Sequence, residues 1–300
     1  MELNEKQKKI REIVESKDIL LLAHSYQRLE IQDVADFVGD SLELSKNARE
    51  AKQQKIMFAA VRFMAETTSI LSPEKKIMIA APDAMCPLAA MIEPEELIEM
   101  KDKHPGVPVV CYINSTAEIK ALSDVVCTSA NALKICESLP GNEIIFVPDQ
   151  GLGSWIAEQT SKKLYLHYGF CPIHWLISPD EVKAQKDAHP GSLLVVHPES
   201  NPKIRALADH VTGTSGMIAY AKQNPGKTFI VGTERGMIER LARMFPDSTF
   251  IPATQGYLCP NMKKTNLDVL LNALINETTV VTVNPEVAAK ARKAIERMHG

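Results

Sequence analysis

The chain has 300 residues, of which 45% are hydrophobic and 5% aromatic, and a formal net charge of −3 at pH 7. These values argue against nucleic-acid binding, the apolar runs are too short to cross a bilayer, and the charged N-terminus lacks the apolar centre of a signal peptide. We therefore expect a cytoplasmic protein with neither nucleic acid nor a membrane as partner, whose six cysteines are thiols or metal ligands and not disulfides.

The charged segment 1–18 predicts a surface helix, and an α/β unit follows it. The apolar run ILLLA is typical of a buried parallel strand. Apolar residues then recur at helical spacing from Ile31 to Val38, which predicts a helix with one buried face whose last residues turn into a short strand. The runs KIMFAA and KKIMIAA predict two further strands, separated by helical segments. Strands that alternate with helices indicate a parallel sheet covered on both faces.

The same unit occurs three times along the chain. An aspartate recurs with separations of 88 and then 85 residues, at Asp36, Asp124 and Asp209. At the end of the apolar run that precedes each aspartate stand His24, Tyr112 and His197. The later copies contain the predicted strands VPVVC, EIIFVP and KLYLHY, and then SLLVV, TFIVG and TFIPA. We predict an α/β protein of three homologous three-layer α/β/α domains with parallel sheets, arranged around a pseudo-threefold axis.

The predicted domain boundaries follow these copies. The first domain comprises residues 1–103 together with 265–300, because the tail segments TNLDVLLNALINE and PEVAAKARKAIERM are helical and are expected to pack back on the first copy. The second domain comprises residues 104–188, and the third comprises residues 189–264.

Three cysteines precede prolines in the same register, at Cys86, Cys171 and Cys259, with separations of 85 and 88 residues. Each follows the last strand of its copy, where ligands of open α/β sheets collect, so three copies around one axis would bring three thiols together. Structural zinc usually takes four ligands from closely spaced pairs, whereas iron–sulfur clusters are bound by cysteines and often adjoin Cys-Pro. The spacing favours a 4Fe–4S cluster with one open iron. A Cys₃His zinc site completed by His174 is the alternative.

Other recurring residues have structural interpretations. Asp36, Asp124 and Asp209 are expected to hydrogen-bond the turns in which they lie. The cysteines without a counterpart in the other copies are expected to be buried small hydrophobic residues, and they are Cys111, Cys127 and Cys136. Hydroxyl residues follow the three aspartates and are candidates either for helix caps or for substrate binding, and they are Ser41, Ser129 and Thr214.

Taken together, the motifs resemble those of the quinolinate synthase family. The resemblance covers essentially the whole chain and rests on AHSYQ, GDSLELS, CYINSTAE, CTSANA, GFCPIH, VHPES, GTSGM and GTERGMI. It implies an enzyme that uses a 4Fe–4S cluster to condense iminoaspartate with dihydroxyacetone phosphate to quinolinate, the precursor of NAD, with loss of phosphate and two waters. The enzyme that supplies iminoaspartate is then a candidate partner.

Carried over position by position, the resemblance implies three groups of site residues. The cluster ligands would be Cys86, Cys171 and Cys259. The residues that perform acid–base steps would be Tyr26, Tyr112, His197 and Glu199. The residues that hold carboxylate, carbonyl and phosphate oxygens would be His24, Ser41, Asn114, Ser129, His174, Thr214 and Ser215. The sequences that flank the cysteines in HYGFCPIH and YLCPNMKK depart from the family pattern, which leaves the contacts of these loops open.

Two other functions stay open on the sequence alone. One is another 4Fe–4S hydro-lyase that acts on a small dicarboxylate. The other is a metal or redox sensor without enzymatic activity, which would need His174 as a fourth protein ligand. Replacement of His174 separates the two classes, because loss of metal supports the sensor and retained metal with lost turnover supports the enzyme.

Overall fold

The computed structural model describes residues 3–299 and has an α/β fold with three parallel four-stranded sheets. The strands of the first sheet are β1 (Ile19–His24), β2 (Phe37–Gly39), β3 (Lys55–Ala59) and β4 (Lys76–Ile79). Those of the second sheet are β5 (Val109–Tyr112), β6 (Val125–Cys127), β7 (Glu143–Val147) and β8 (Lys163–Leu166). Those of the third sheet are β9 (Leu193–Val196), β10 (His210–Val211), β11 (Thr228–Gly232) and β12 (Thr249–Pro252). The predicted fold class is confirmed.

Helices alternate with these strands. The helices of the first part of the chain are α1 (Glu5–Ser16), α2 (Leu29–Gln32), α3 (Ser41–Glu50), α4 (Arg62–Leu71) and α5 (Pro94–Lys103). The next are α6 (Ala117–Ala121), α7 (Ala132–Ser138), α8 (Gln150–Ala157), α9 (Pro172–Trp175) and α10 (Pro179–Ala188). The last are α11 (Pro202–Arg205), α12 (Thr214–Gln223), α13 (Arg235–Met244), α14 (Leu267–Asn276) and α15 (Pro285–Glu296). Among residues 3–299, none of the helices is long and apolar enough to cross a membrane.

All three sheets have the same strand order, with the second strand of each copy on one side of the first strand and the third and fourth strands on the other. The order therefore reverses between β1 and β3, between β5 and β7, and between β9 and β11. Ligands of open α/β sheets bind beyond the carboxyl ends of the strands at such a reversal. His24 and Tyr112 end β1 and β5, and His197 directly follows β9, so the fold places all three at these positions.

The recurring aspartates fix the short second strands to the first strands. Asp36 accepts the N–H of Leu21 on its Oδ2 atom at 2.8 Å and donates its own N–H to the Leu21 carbonyl at 2.8 Å. Asp209 makes the same pair of bonds with Leu194, at 2.7 and 2.9 Å. The structural interpretation of Asp36 and Asp209 is confirmed. The predicted helix between them and the first strands is short, because α2 and α11 each span four residues before the chain turns into β2 and β10.

The chain divides into two compact units. One comprises residues 1–90, 113–126 and 260–300, and we call it unit 1. The other comprises residues 91–112 and 127–259, and we call it unit 2. Each sheet lies within one of the three segments predicted as domains, whose boundaries stay a prediction.

The core of unit 1 shows why the tail belongs to it. Leu270 and Leu274 of α14 are buried together with Ile10 of α1, Leu21 of β1 and Met57 of β3. Each such side chain contributes about 1.5–3 kcal/mol by leaving water. Helix α14 therefore packs on α1 and the first sheet, while the assignment of the whole tail to the first domain stays a prediction.

In unit 2, apolar side chains from the third sheet and its helices form one buried cluster that includes Val182, Leu194 and Ile230. Cys111, Cys127 and Cys136 are completely buried, as predicted. Burial raises the pKa of the Cys136 thiol to about 12 and raises that of Cys127 well above its usual range. Burial therefore keeps the thiols of Cys127 and Cys136 protonated.

Of the two roles considered for Ser41, Ser129 and Thr214, the structure does not support the role of helix cap, because other residues are the N-cap residues in all three copies. Asp40, and not Ser41, caps α3 by accepting the N–H groups of Leu42 and Glu43 at 3.0 and 2.9 Å. Asn131, and not Ser129, is the N-cap residue of α7, and Gly213 precedes Thr214 at the start of α12. A carboxylate is as good a cap as a hydroxyl, so the hydroxyl residues are not required for helix formation.

Candidate active site

A buried hydrogen-bond network lies at the strand ends of unit 2. The Tyr112 hydroxyl donates to Oε1 of Glu199 at 2.5 Å, and Nδ1 of His174 is 2.6 Å from Oε2 of the same carboxylate. The second ring nitrogen of His174, Nε2, is 2.9 Å from the Thr233 hydroxyl. All four side chains are buried. Because a carboxylate oxygen can only accept, Nδ1 of His174 carries a proton and donates it to Glu199.

Glu199 is the charged centre of this network. Burial by itself raises the pKa of this carboxyl group. The positive charge that His197 and His174 carry when protonated, together with the hydrogen bonds from His174 and Tyr112, lowers it by more, so the pKa of Glu199 falls well below its usual range. The side chain is therefore an ionised acceptor at neutral pH, held between a phenol and an imidazole.

The rings of His197 and His24 are each oriented by the backbone N–H of the residue two positions later in the chain. The backbone N–H of Glu199 donates to Nδ1 of His197 at 3.3 Å, and the backbone N–H of Tyr26 donates to Nδ1 of His24 at 3.1 Å. In the neutral ring the proton is then on Nε2, which becomes a donor. The His197 ring also stacks on the ring of His174, with centroids 4.4 Å apart. The fold thus presents two imidazole N–H groups in fixed orientations.

Donors for an anionic oxygen gather where α12 begins. Gly213 is the N-cap residue, and a Cβ atom there would lie 2.8 Å from the Ser129 hydroxyl and 3.9 Å from Nε2 of His197. Thr214 and Ser215 form the first turn of this ten-residue helix. The N-terminus of a helix carries partial positive charge and N–H donors, which suit a carboxylate or a phosphate. Glycine leaves room there that any side chain would fill.

The other predicted substrate-binding residues lie in unit 1. His24 is buried, and its ring meets the ring of Tyr26 edge-on with centroids 4.6 Å apart. Lys263 donates to the backbone carbonyl of Tyr26, which fixes this pair. Ser41 is the first residue of α3, and Asn114 lies half-buried in the loop that follows β5. The structure thus brings His24 and Tyr26 together and places Ser41 and Asn114 in separate segments.

The three cysteines that precede prolines lie in equivalent segments, which we call the Cys-Pro loops (residues 80–87, 167–172 and 253–260). In each loop, a carbonyl two residues before the cysteine accepts an N–H from the start of the helix that follows the third strand. These bonds are Arg62 to Ala84 at 2.9 Å, Gln150 to Gly169 at 2.7 Å and Arg235 to Tyr257 at 3.0 Å. All three cysteines are half-buried. The backbone of each loop is therefore anchored to its own copy in the same way.

One group of metal-ligand type has a different geometry. Ligand atoms of Cys171, His174 and Glu199 lie within 4.8 Å of one another. However, Nδ1 of His174 is 2.6 Å from Oε2 of Glu199, and two ligands of one tetrahedral zinc ion would be about 3.3 Å apart, given zinc–ligand bonds of about 2.0 Å. The His174–Glu199 contact is therefore a hydrogen bond, and both ring nitrogens of His174 are engaged by other side chains. This geometry disfavours a Cys₃His zinc site.

The sequence patterns did not identify Thr233, Asp149 or Glu234 as candidates. Asp149 and Glu234 each lie two residues after the last residue of a strand, β7 or β11, and are the N-cap residues of α8 and α13. Their positions and that of Val61 are separated by 88 and 85 residues, which is the spacing of the recurring aspartates. The same register could have found both carboxylates, but the valine in the first copy hides the pattern.

Asp149 lies beside the network. It is completely buried, and within residues 3–299 its Oδ2 atom has no hydrogen-bond partner. Burial and then the charge of Glu199 raise the pKa of Asp149, while the N–H groups of Leu152, Cys171 and Gly151 oppose this shift. A Cβ atom at Gly151 would lie 2.3 Å from the Glu199 carbonyl, so the start of α8 also supports the backbone of Glu199.

Comparison with known proteins identifies the family of this chain. The family model described as quinolinate synthetase A protein matches residues 8–300. The chain belongs to the quinolinate synthase family. A quinolinate synthase of Dehalococcoides mccartyi (strain CBDB1) is 50% identical over 290 residues, which cover 97% of this chain and 96% of that protein. A quinolinate synthase of Geotalea uraniireducens is 46% identical over a region that covers 96% of this chain and 95% of that protein. One of Thermodesulfovibrio yellowstonii is 43% identical over a region that covers 99% of this chain and 98% of that protein. The predicted family membership is confirmed, and the chain is a member of a family of enzymes.

Proposed function

We propose that this protein is a quinolinate synthase that condenses iminoaspartate with dihydroxyacetone phosphate, with loss of phosphate and two waters, in the biosynthesis of NAD. The observation that carries the proposal is the buried carboxylate of Glu199 held between the Tyr112 hydroxyl and the His174 ring. Condensation and dehydration both need groups that hold and move protons at fixed positions.

Tyr112 and Glu199 act together in one proton movement. The phenol already donates to Oε1 of Glu199 at 2.5 Å. When the Tyr112 oxygen takes a proton from the substrate, its own proton passes to Glu199, and the reverse movement returns it. The phenol therefore never becomes a buried anion beside a carboxylate. His174 keeps the carboxylate oriented from the other side, and Thr233 fixes the His174 ring.

The substrates carry carboxylates and a phosphate, for which the start of α12 provides donors. We propose that Ser129, Thr214, Ser215 and the Nε2–H of His197 bind one such group. In unit 1, His24, Tyr26, Ser41 and Asn114 are proposed to bind the remaining oxygens or, for Tyr26, to move a proton. The Nε2–H of His24, set by the bond from the Tyr26 backbone, suits an oxygen acceptor.

The proposed cofactor is a 4Fe–4S cluster held by Cys86, Cys171 and Cys259. When bound, it would supply an open iron as a Lewis acid for a substrate oxygen. The equivalent anchoring of the three Cys-Pro loops supports this ligand set. The engaged ring nitrogens of His174 favour an enzyme over a sensor with a Cys₃His site. A partnership with the enzyme that supplies iminoaspartate and a cytoplasmic location stay predictions.

The experiment is an assay for quinolinate with protein purified without oxygen and supplied with both substrates. We expect quinolinate from the wild-type protein and none above background from a preparation stripped of its iron by a chelator. Protein that contains the cluster and yet forms no quinolinate would contradict the proposal. If that protein instead dehydrates a small dicarboxylate, the alternative hydro-lyase is supported.

A further inference from the structure

A buried carboxylate connects a cysteine of unit 2 to the start of a helix. Glu234 follows β11 and is completely buried. Its Oε2 atom accepts the N–H of Gly236 in the first turn of α13 at 2.6 Å, and its Oε1 atom accepts the N–H of Cys259 at 3.0 Å. One side chain therefore sets the position of the Cys259 backbone relative to the sheet.

The second copy contains a similar arrangement. Asp149 follows β7, is completely buried, and accepts the N–H of Leu152 in α8 at 2.6 Å. Within residues 3–299, its second carboxyl oxygen, Oδ2, has no hydrogen-bond partner. Asp149 and Glu234 are 85 residues apart, so two copies place an acidic residue at the same point of the fold.

The first copy shows that folding does not require an acidic residue at this point. The equivalent residue is Val61, which has no group that accepts a hydrogen bond, and yet α4 begins there. The backbone bond from Arg62 to Ala84 also forms in that copy. A residue whose only task was to begin the helix would need no bond to the cysteine. The second bond of Glu234 therefore calls for a different explanation.

We propose that Glu234 is a positioning residue that holds the backbone of Cys259 in place for the cluster. The inference rests on the proposed function, because it presupposes that the Cys259 thiol binds iron. The bond from Cys259 to Glu234 joins two groups of the chain and needs no cluster, so Glu234 can set the position of this backbone before the cluster binds. Glu234 does not need to contact the substrate.

The test compares Glu234→Gln, Glu234→Asp and the wild-type protein. In Glu234→Gln the side-chain amide replaces one acceptor oxygen and faces an N–H donor, so one of the two bonds is lost. Glu234→Asp keeps both acceptor oxygens and is the residue type that the chain uses at position 149. The matched control is Asn284→Ala, which removes a side chain that accepts two N–H groups at the start of α15 in unit 1.

After anaerobic reconstitution, the decay of visible cluster absorbance in the presence of a chelator is followed for each protein. We expect Glu234→Gln to lose the cluster about tenfold faster than the wild type, as the loss of one hydrogen bond to a charged acceptor implies. Glu234→Asp should fall between the two, and Asn284→Ala should decay at the wild-type rate. The electron paramagnetic resonance spectrum of the reduced cluster should change in Glu234→Gln only, which loss of a helix cap alone would not produce.

The outcomes separate the two claims. If the wild-type protein binds no iron and sulfide, the proposed function fails. If it binds them and Glu234→Gln keeps them equally long with an unchanged spectrum, the positioning role alone is overturned. If Glu234→Gln does not fold, amide hydrogen exchange of the metal-free wild-type protein tests whether the Cys259 backbone is held by Glu234. Protection of the Cys259 amide supports the role, and exchange at the rate of an open loop overturns it.

Discussion

The first and third Cys-Pro loops differ in the side chain that supports them. Beside the third loop, the buried carboxylate of Glu234 accepts the N–H of Cys259. Beside the first loop the equivalent residue is Val61, and Lys264 instead binds the carbonyl and the carboxylate of Asp83 at 2.7 and 2.9 Å. The side chain of Asp83 is 74% exposed.

The two loops have the same backbone anchor, but one is supported by a buried carboxylate and the other by an exposed ion pair. Hydrogen bonds to a charged group inside a protein contribute about 1.5–3 kcal/mol each, whereas exposed ion pairs contribute little and are screened by salt. The backbone anchor is the same in both loops, so the side chains alone distinguish them. We expect the Cys86 loop to be held less firmly than the Cys259 loop.

The largest expected effect is the loss of the cluster when either loop loses its thiol. Cys86→Ser and Cys259→Ser should each retain less than about a tenth of the wild-type iron, because clusters are bound by thiolates. Iron and acid-labile sulfide per chain measure this. Cys136→Ala is the control, since Cys136 is completely buried in α7 and should leave the iron content unchanged. Full retention of iron in Cys259→Ser would exclude Cys259 as a ligand.

Replacement of Glu199 should abolish turnover without loss of the cluster. Glu199→Gln keeps the shape of the side chain but cannot take the proton of Tyr112, so we expect kcat to fall by about 10²–10⁴-fold. The iron content should stay at the wild-type level. A control is Glu158→Gln, an exposed partner of Arg205 in the same unit, which should keep its turnover. Wild-type kcat in Glu199→Gln would contradict the proposed proton movement.

The repeats explain which parts of this account could be predicted from the sequence. The apolar runs and the spacing from Ile31 to Val38 predicted strands and short helices, because burial on one face leaves a periodic pattern. The spacing also identified His24, His197 and the three cysteines. The sequence left open whether Ser41 caps α3 or binds substrate, because Asp40 is an equally good cap and lies one residue earlier.

The contacts between the second and third repeats could not be predicted in this way, because they produce no periodic pattern in the sequence. The bond from Tyr112 to Glu199 joins residues 87 positions apart, and the bond from His174 to Thr233 joins residues 59 positions apart. Thr233 is an ordinary strand-end residue in the sequence, and only the packing of the second and third copies in unit 2 gives it a partner. Glu234 was overlooked because its counterpart in the first copy is Val61.

Within unit 1, Glu277 shows when an ion-pair network near the surface has a measurable effect. It binds Lys76, Lys17 and Lys55 at 2.9, 3.1 and 3.2 Å, and these contacts lower its pKa to about 2 against the opposing effect of burial. The stabilisation is complete above the unfolded pKa of 4.5 and is lost as the pH falls towards 2.

We therefore expect Glu277→Gln to lower the free energy of unfolding by about 1–2 kcal/mol at neutral pH, after allowance for solvent around the lysines. Urea unfolding at pH 6 and at pH 3 measures the effect, and the gap between variant and wild type should narrow at the lower pH. Glu286→Gln in α15 is the control. An equal gap at both pH values would show that charge is not the cause.

The smallest expected effect concerns the exposed support of the first loop. Lys264→Gln should accelerate cluster decay by about twofold at low ionic strength, as expected for an exposed pair. The difference should disappear in 1 M salt, because screening already weakens the pair in the wild type. The tenfold effect of Glu234→Gln should persist in the same salt, since that carboxylate is buried. Salt-independent effects of both variants would remove the distinction between the two loops.

The most direct test of the account is the content of iron and acid-labile sulfide in wild-type protein purified without oxygen. We predict about four of each per chain, the content of one 4Fe–4S cluster. That result would establish the three Cys-Pro loops as the ligand-bearing segments of a cluster enzyme once Cys86→Ser, Cys171→Ser and Cys259→Ser each lose it. Zinc without sulfide would contradict the account, because the Cys-Pro loops would then serve a structural site.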